Sequence, residues 1–240
     1  MCIRDRVKLG LRYSELSDGA FDVTVLPLSS LWNFSGGDPK VPSEAEIQAA
    51  LAKVDYRRVH IEGDVIDFGD DVTQIDSGST AKGYIADRLK DFLVEKGVKS
   101  AIINLGGNVL CIGEKAKGKP FQIAIRKPEE HSNDVVKILD IDGLSVVSSG
   151  VYERFFDIDG VHYHHILNPR TGYPYQNGIT SVTIVGPSSA ECDALSTTVF
   201  SLGQEAGMAL LNRTEGYYGY MILEDGTMLT SEGAQPGKNP

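Results

Sequence analysis

The chain has 240 residues, of which 41% are hydrophobic and 23% charged, with a mean hydropathy of −0.14. That composition excludes a disordered, collagen-like or coiled-coil chain and suits one large globular domain or two small ones. Lys and Arg number 23 against 33 Asp and Glu, a net charge of −10, which argues against a bare nucleic-acid or anionic-membrane surface.

A chain this acidic needs backbone amides or a metal to handle phosphate. No apolar run approaches the ~20 residues of a membrane-spanning helix. Cys2, Cys111 and Cys192 share no close spacing, so they form neither a zinc quartet nor a disulfide framework, and the redox compartment stays open.

In chain order, residues 1–6 lack the apolar stretch of a signal peptide and read as a non-native or disordered start. Residues 7–16 read as the tail of a helix entered midway. An apolar segment punctuated by Pro27 covers 21–34, and 35–43 is loop by composition. Ser43 with Glu46 forms a capping-box pattern for a helix to about Ala52. A hairpin turning at 62–64 comes next. Residues 75–97 lead from a strand end through a small-residue turn into an amphipathic helix, with Ile85, Leu89, Phe92 and Leu93 as its expected buried stripe and Gly97 as its stop. Residues 100–112 read as a buried strand bent at Gly106-Gly107. Further strands are expected at 121–126 and within 135–149, the latter turning near Asp142-Gly143. Two more flank Asp159-Gly160, a type I′ signal. After a tight loop at 168–174 come a strand at 181–186 and a helix at 188–203 capped by Ser189. A second helix runs to about Asn212, and a last hairpin turns at Asp225-Gly226. Hairpins outnumber crossovers, so the fold expected is one α+β domain with largely antiparallel sheet and packed helices.

Three groups could carry chemistry. Asp193 and Thr197 lie four apart on an expected helix, so both oxygens project from one face. A carboxylate with a hydroxyl suits Mg²⁺ better than zinc, although the same spacing fits an ordinary exposed acid. In residues 76–83, DSGSTAKG, an acid ends a strand and Lys82 sits in the first turn of a helix. A cation is unfavourable there unless an anion such as a diphosphate binds; the alternative is a capped helix with an incidental lysine. His162, His164 and His165 cluster in a hairpin, where His162 and His164 share a face and His165 points oppositely. The HxH pair has no obvious third ligand for zinc, and His165 could serve as an acid/base group or simply pack. Residues 113–120 nearly match a P-loop, but Pro120 replaces the Ser/Thr, so a charged hairpin loop is expected. Residues 105–113 lack GxGxxG and give no dinucleotide fingerprint.

Taken in order, FDVTVLPLSSLW, DSGSTAKGYIADR, INLGGNVLCIG, SSGVYERFF, HHILNPRTGYP and CDALSTTVFSLG resemble the ApbE family of FAD:protein FMN transferases over nearly the whole chain. The resemblance implies a Mg²⁺-dependent enzyme that moves the FMN half of FAD onto a Ser/Thr hydroxyl of an acceptor protein and releases AMP. It implies flavin contacts at Phe21, Asp22 and Val23, FAD-binding positions at Asp76 and Lys82, and the reacting diphosphate beside His165 and Ile166. Metal ligands are implied at Ser79 (through its main-chain oxygen), Asp193 and Thr197, with His165 or Asp76 as the proton acceptor. Two positions depart from the family pattern: Asn168 stands where Asp is usual, and Ser79 where a second glycine is usual. The resemblance further implies that residues 7–240 are an ApbE-like domain lacking its N-terminal part. The expected location is the cell envelope, at the outer face of the cytoplasmic membrane. The acceptor implied is a redox protein such as a subunit of a sodium-pumping NADH:quinone reductase or an Rnf-type complex. A Mg²⁺-dependent FAD diphosphatase, a non-enzymatic flavin-binding protein and an inactive fragment are the competing expectations.

Overall fold

The computed structural model describes residues 3–36, 39–115, 118–128 and 134–234. Helix α1 (Ile3–Leu16) takes in part of the segment expected to be a non-native start, while Met1 and Cys2 lie outside the described residues. The apolar segment 21–34 contains a helix that its pattern did not announce, α2 (Leu26–Trp32). Pro27 sits in its first turn, where a missing N–H costs nothing. Helix α3 (Glu44–Leu51) starts with the expected capping box: the Glu46 amide donates to Ser43 Oγ, and the Ser43 amide donates to Glu46 Oε2 at 2.8 Å. Strands β1 (His60–Glu62) and β2 (Val65–Asp67) form the first hairpin.

Helix α4 (Gly78–Glu95) corrects two expectations. Lys82 is its fifth residue and so lies beyond the first turn. Of the expected apolar stripe only Leu93 packs against a core cluster; Ile85, Leu89 and Phe92 are 48%, 39% and 55% exposed. The fully buried positions are the small Thr80, Gly83 and Ala86: at Gly83 a neighbouring helix comes too close for any side chain, and Ala86 packs on Ile103, Leu110 and Ile112.

The glycine pair corrects a third expectation. Gly106 and Gly107 both adopt positive φ and turn the chain fully back, so β3 (Ala101–Asn104) and β4 (Asn108–Ile112) are two antiparallel strands and not one bent strand. Strands β5 (Phe121–Arg126) and β6 (Val135–Ile141) form a separate hairpin. Between β4 and β5, Lys115 and Lys119 bridge the near-P-loop as a hairpin loop, and Ala116 and Lys117 lie outside the described residues. Strand β7 (Ser145–Gly150) precedes the hairpin of β8 (Phe155–Ile158) and β9 (Val161–His164). Its turn residues Asp159 and Gly160 have φ of 52° and 76°, as a type I′ turn requires. Strand β10 (Ile179–Gly186), helices α5 (Ser189–Leu202) and α6 (Gln204–Asn212), and the hairpin β11 (Tyr218–Leu223)–β12 (Met228–Thr230) complete the chain. The cap of α5 is Ser188, one residue before the Ser189 expected: Ser188 Oγ accepts from the Glu191 amide.

Among the described residues, six strands form one sheet in the order β12-β11-β10-β7-β4-β3, every neighbouring pair antiparallel, as expected for an α+β fold. Alternation along β7 and β10 sends Val147, Val182 and Ile184 to one face, where they pack with Leu195, Val199 and Phe200 of α5. Val146 and Val185 point to the other face, which the β5–β6 hairpin covers with Ile125, Leu139 and Ile141. A third cluster packs α2 and α3 against β8–β9 around Trp32. The site forms where these groups meet.

Candidate active site

Helices α4 and α5 cross at Gly83, where an added Cβ would lie 2.1 Å from the Ser189 carbonyl oxygen. That approach brings the Gly83 amide to Asp193 Oδ2, to which it donates at 2.9 Å. In a regular helix the same amide would serve the carbonyl four residues back, which is Ser79. Its hydrogen is drawn to Asp193, and Ser79 faces the cavity beside it. Asp193 is 3% exposed; burial raises its pKa above the usual carboxylate range, and the Gly83 amide and the Lys82 charge pull it partly back. One turn on, Thr197 Oγ1 lies 3.2 Å from Ser149 Oγ of β7. Asp87 of α4 fixes the crossing from the other side, accepting from the Ser189 and Ala190 amides and from Ser188 Oγ at 2.9–3.0 Å.

Lys82 Nζ donates to the Gly106 carbonyl at 3.1 Å and lies 4.0 Å from Glu153 Oε2. Asp76 holds the turn into α4, accepting from the Gly78 amide and from Ser29 Oγ of α2, both at 2.8 Å. Asp22 accepts from the Thr24 amide, Thr24 Oγ1 and the Tyr56 amide, so its carboxylate braces the loop before α2.

The histidines separate by environment. His162 pairs with Asp157 at 2.9 Å, and His164 is buried, its Nε2 donating to the Tyr175 carbonyl at 2.8 Å. His165 Nδ1 lies 3.3 Å from the Arg154 carbonyl. A carbonyl only accepts, so Nδ1 carries the proton and Nε2 keeps its lone pair. Burial and the charge of Arg154 push the His165 pKa down to about 3, so the ring is neutral at physiological pH.

One cavity of about 290 Å³ gathers these residues. Phe21, Asp22, Asp76, Ser79, Lys82, His165, Ile166, Asp193 and Thr197 all line it. Val23 does not: it is 2% exposed and packs against Gly10 of α1, leaving its main chain to accept from the Asp76 amide at 2.8 Å. Sequence patterns missed Ser29, Phe34, Ser149, Glu153 and Arg154, which also line the cavity. Nothing in their spacing marks them, since each reaches the site through tertiary packing. Ser201 could have been found, because it extends the Asp193–Thr197 row by one more turn of α5. The lining is two-sided in character. Phe34, stacked at 5.7 Å and 6° on Trp32, joins Leu26, Ile166 and Leu167 as an apolar wall, while the α4 start and α5 supply charge and oxygen ligands.

An α+β fold that gathers a lysine, a buried carboxylate and a neutral histidine around an amphipathic cavity defines a small-molecule site with room for an anionic ligand. The chain belongs to the ApbE family, whose model matches residues 3–222. It is 37% identical over 220 residues to an FAD:protein FMN transferase of Klebsiella pneumoniae, covering 91% of this chain and 68% of that protein. It is 34% identical to one of Treponema pallidum, covering 93% and 66%. It therefore spans about two thirds of the length of these relatives. Among solved structures, the ApbE protein of Thermotoga maritima superposes with a TM-score of 0.89 at 33% identity, covering 100% of this chain and 79% of that one. The flavin transferase ApbE of Vibrio cholerae gives 0.86 at 32%, covering 97% and 75%.

Proposed function

We propose that this chain transfers FMN from FAD to a Ser/Thr hydroxyl of an acceptor protein, releasing AMP, in a Mg²⁺-dependent reaction at the cavity above. The observation that carries it is that nine of the ten residues the sequence motifs single out line one cavity with an apolar wall and a charged one. A flavin ring fits the first wall and a diphosphate the second. Among the described residues no group of three or more His, Cys, Asp or Glu gathers to hold a metal. Asp193 with Thr197 and Ser79 offers one carboxylate and neutral oxygens on the cavity wall, a set that suits Mg²⁺, which commonly takes one or two carboxylates plus substrate phosphates. A carboxylate that burial pushes toward its neutral form also marks where added positive charge is most favourable.

Asp193, Thr197 and the Ser79 carbonyl would hold Mg²⁺, which when bound supplies positive charge against the diphosphate. Lys82 places a second cation there and offsets charge developing on departing AMP. His165 offers Nε2 as acceptor for the hydroxyl proton. Its basicity is low because burial and Arg154 hold it down, and a diphosphate beside Arg154 and Lys82 would raise it. Asp76, with both oxygens engaged by Ser29 and Gly78, orients the loop. The new bond joins the acceptor oxygen to the FMN phosphorus, and the bond that breaks is the diphosphate link to AMP. The family resemblance extends the proposal to a cell-envelope location and a redox-protein acceptor.

The test gives the full chain FAD, Mg²⁺ and a Ser/Thr-bearing acceptor from a relative's pathway, and reads the acceptor by mass spectrometry. An FMN adduct with matching AMP release is the expected result. AMP without adduct makes the protein a diphosphatase, and retained FAD without AMP makes it a flavin-binding protein.

A further inference from the structure

Three hydroxyls meet where β7 faces α5. Ser149 points toward α5, as Val147 does, while Ser148 points to the opposite face and pairs with Thr183 at 2.8 Å. Ser149 Oγ lies 2.7 Å from Ser196 Oγ and 3.2 Å from Thr197 Oγ1, and Ser196 Oγ lies 2.9 Å from the Asp193 carbonyl.

Counting hydrogens fixes the direction of every bond. A hydroxyl has one hydrogen to donate and two lone pairs to accept with. The Asp193 carbonyl can only accept, so the Ser196 hydrogen goes there. Ser196 must then accept from Ser149. With that hydrogen committed, Ser149 accepts in turn, and Thr197 is the donor. The Thr197 hydrogen therefore turns toward β7, and its lone pairs are left for the cavity it lines.

We infer that Ser149 and Ser196 are positioning residues that lock Thr197 as a lone-pair donor to a divalent cation. A hydroxyl free to rotate would point its hydrogen at the cation for part of the time. The chain removes that freedom, and each bond polarises the next, making the Thr197 oxygen a better ligand. Neither serine needs to touch the cation. The inference rests on the metal reading proposed above.

The test follows Mn²⁺ binding to the full chain, with FAD present, through the electron paramagnetic resonance signal of free Mn²⁺. Ser149→Ala should weaken binding by about 3- to 10-fold, the worth of one hydrogen bond. In a Thr197→Val background the same change should cost less than twofold, since no hydroxyl remains to orient. Ser196→Ala should behave like Ser149→Ala and serves if that variant does not fold. Ser148→Ala, on the opposite face, should leave Mn²⁺ affinity unchanged. An undiminished affinity in Ser149→Ala, or an equal loss with and without Thr197, overturns the inference. Failure of the wild-type chain to bind Mn²⁺ overturns the metal reading and this inference with it.

Discussion

His164 and His165 are adjacent in the chain and both desolvated, but His165 lines the cavity while His164 is packed inside. His164 is 4% exposed, with Nε2 donating to Tyr175 and Nδ1 accepting from the Ile166 amide, and burial pushes its pKa down to about 4. Protonating Nδ1 would break the second bond. An ordinary unfolded histidine titrates near 6.5, so between about 6.5 and 4 the unfolded chain binds the extra proton. Stability from this residue is full above that window and falls as pH drops through it. The urea midpoint should therefore fall from pH 7.5 to 4.5 more steeply in wild type than in His164→Gln; equal slopes would remove His164 from the account. Lys82 belongs to the same scale. Lys82→Ala should weaken FAD more than riboflavin by titration calorimetry, because its contacts place it with the charged wall and away from the aromatic one. Equal losses would make it a helix-packing residue. Asp193 with Thr197 drew notice by a spacing of four on a helix and His165 as a titratable ring, whereas the first-turn placement that singled out Lys82 is not where the structure puts it. The bonds that orient them were not legible, since Ser149 meets Thr197 across a separation of 48 residues that no local pattern records.

Among the elements, the crossing of α4 and α5 decides the most. Gly83→Ala should cost about 1–3 kcal/mol by urea unfolding, because the new methyl meets backbone atoms at 2.1–2.7 Å that cannot swing away. Asp87→Ala should cost about 1–2 kcal/mol by the same measurement, because it removes the carboxylate that accepts from the Ser189 and Ala190 amides at the start of α5. Hydrophobic periodicity misread this helix for a physical reason. It detects large side chains, whereas a close helix crossing leaves no room for one, as at Gly83. The hairpins at Asp159-Gly160 and Asp225-Gly226 were legible because turn residues punctuate them, whereas the strand expected to end at Asp76 is irregular chain leading into α4. The glycine pair at 106–107 was read as a bend, because the φ that makes it a full reversal is not written in its composition.

At the scale of the whole molecule, one sheet carries helices on one face and a hairpin on the other, and the cavity opens among segments from Phe21 to Thr197. A ligand that touches so many segments should tie the fold together. At about 100 times their dissociation constants, binding contributes about 2.7 kcal/mol, or roughly 5–11 °C in Tm for a chain this long. FAD with Mg²⁺ should raise Tm by more than the sum of their separate shifts in a calorimetric scan; simple additivity would argue against a shared site. The tie between Gly83 and Asp193 has one more effect. It closes a loop across a separation of 110 residues, so loop-closure entropy opposes the contact until other contacts shorten the intervening chain. On that ground Asp193 is expected to stay hydrated until this contact forms. In a stopped-flow refolding experiment, competence to capture a divalent ion should appear with the slowest cooperative phase, after helical signal has returned.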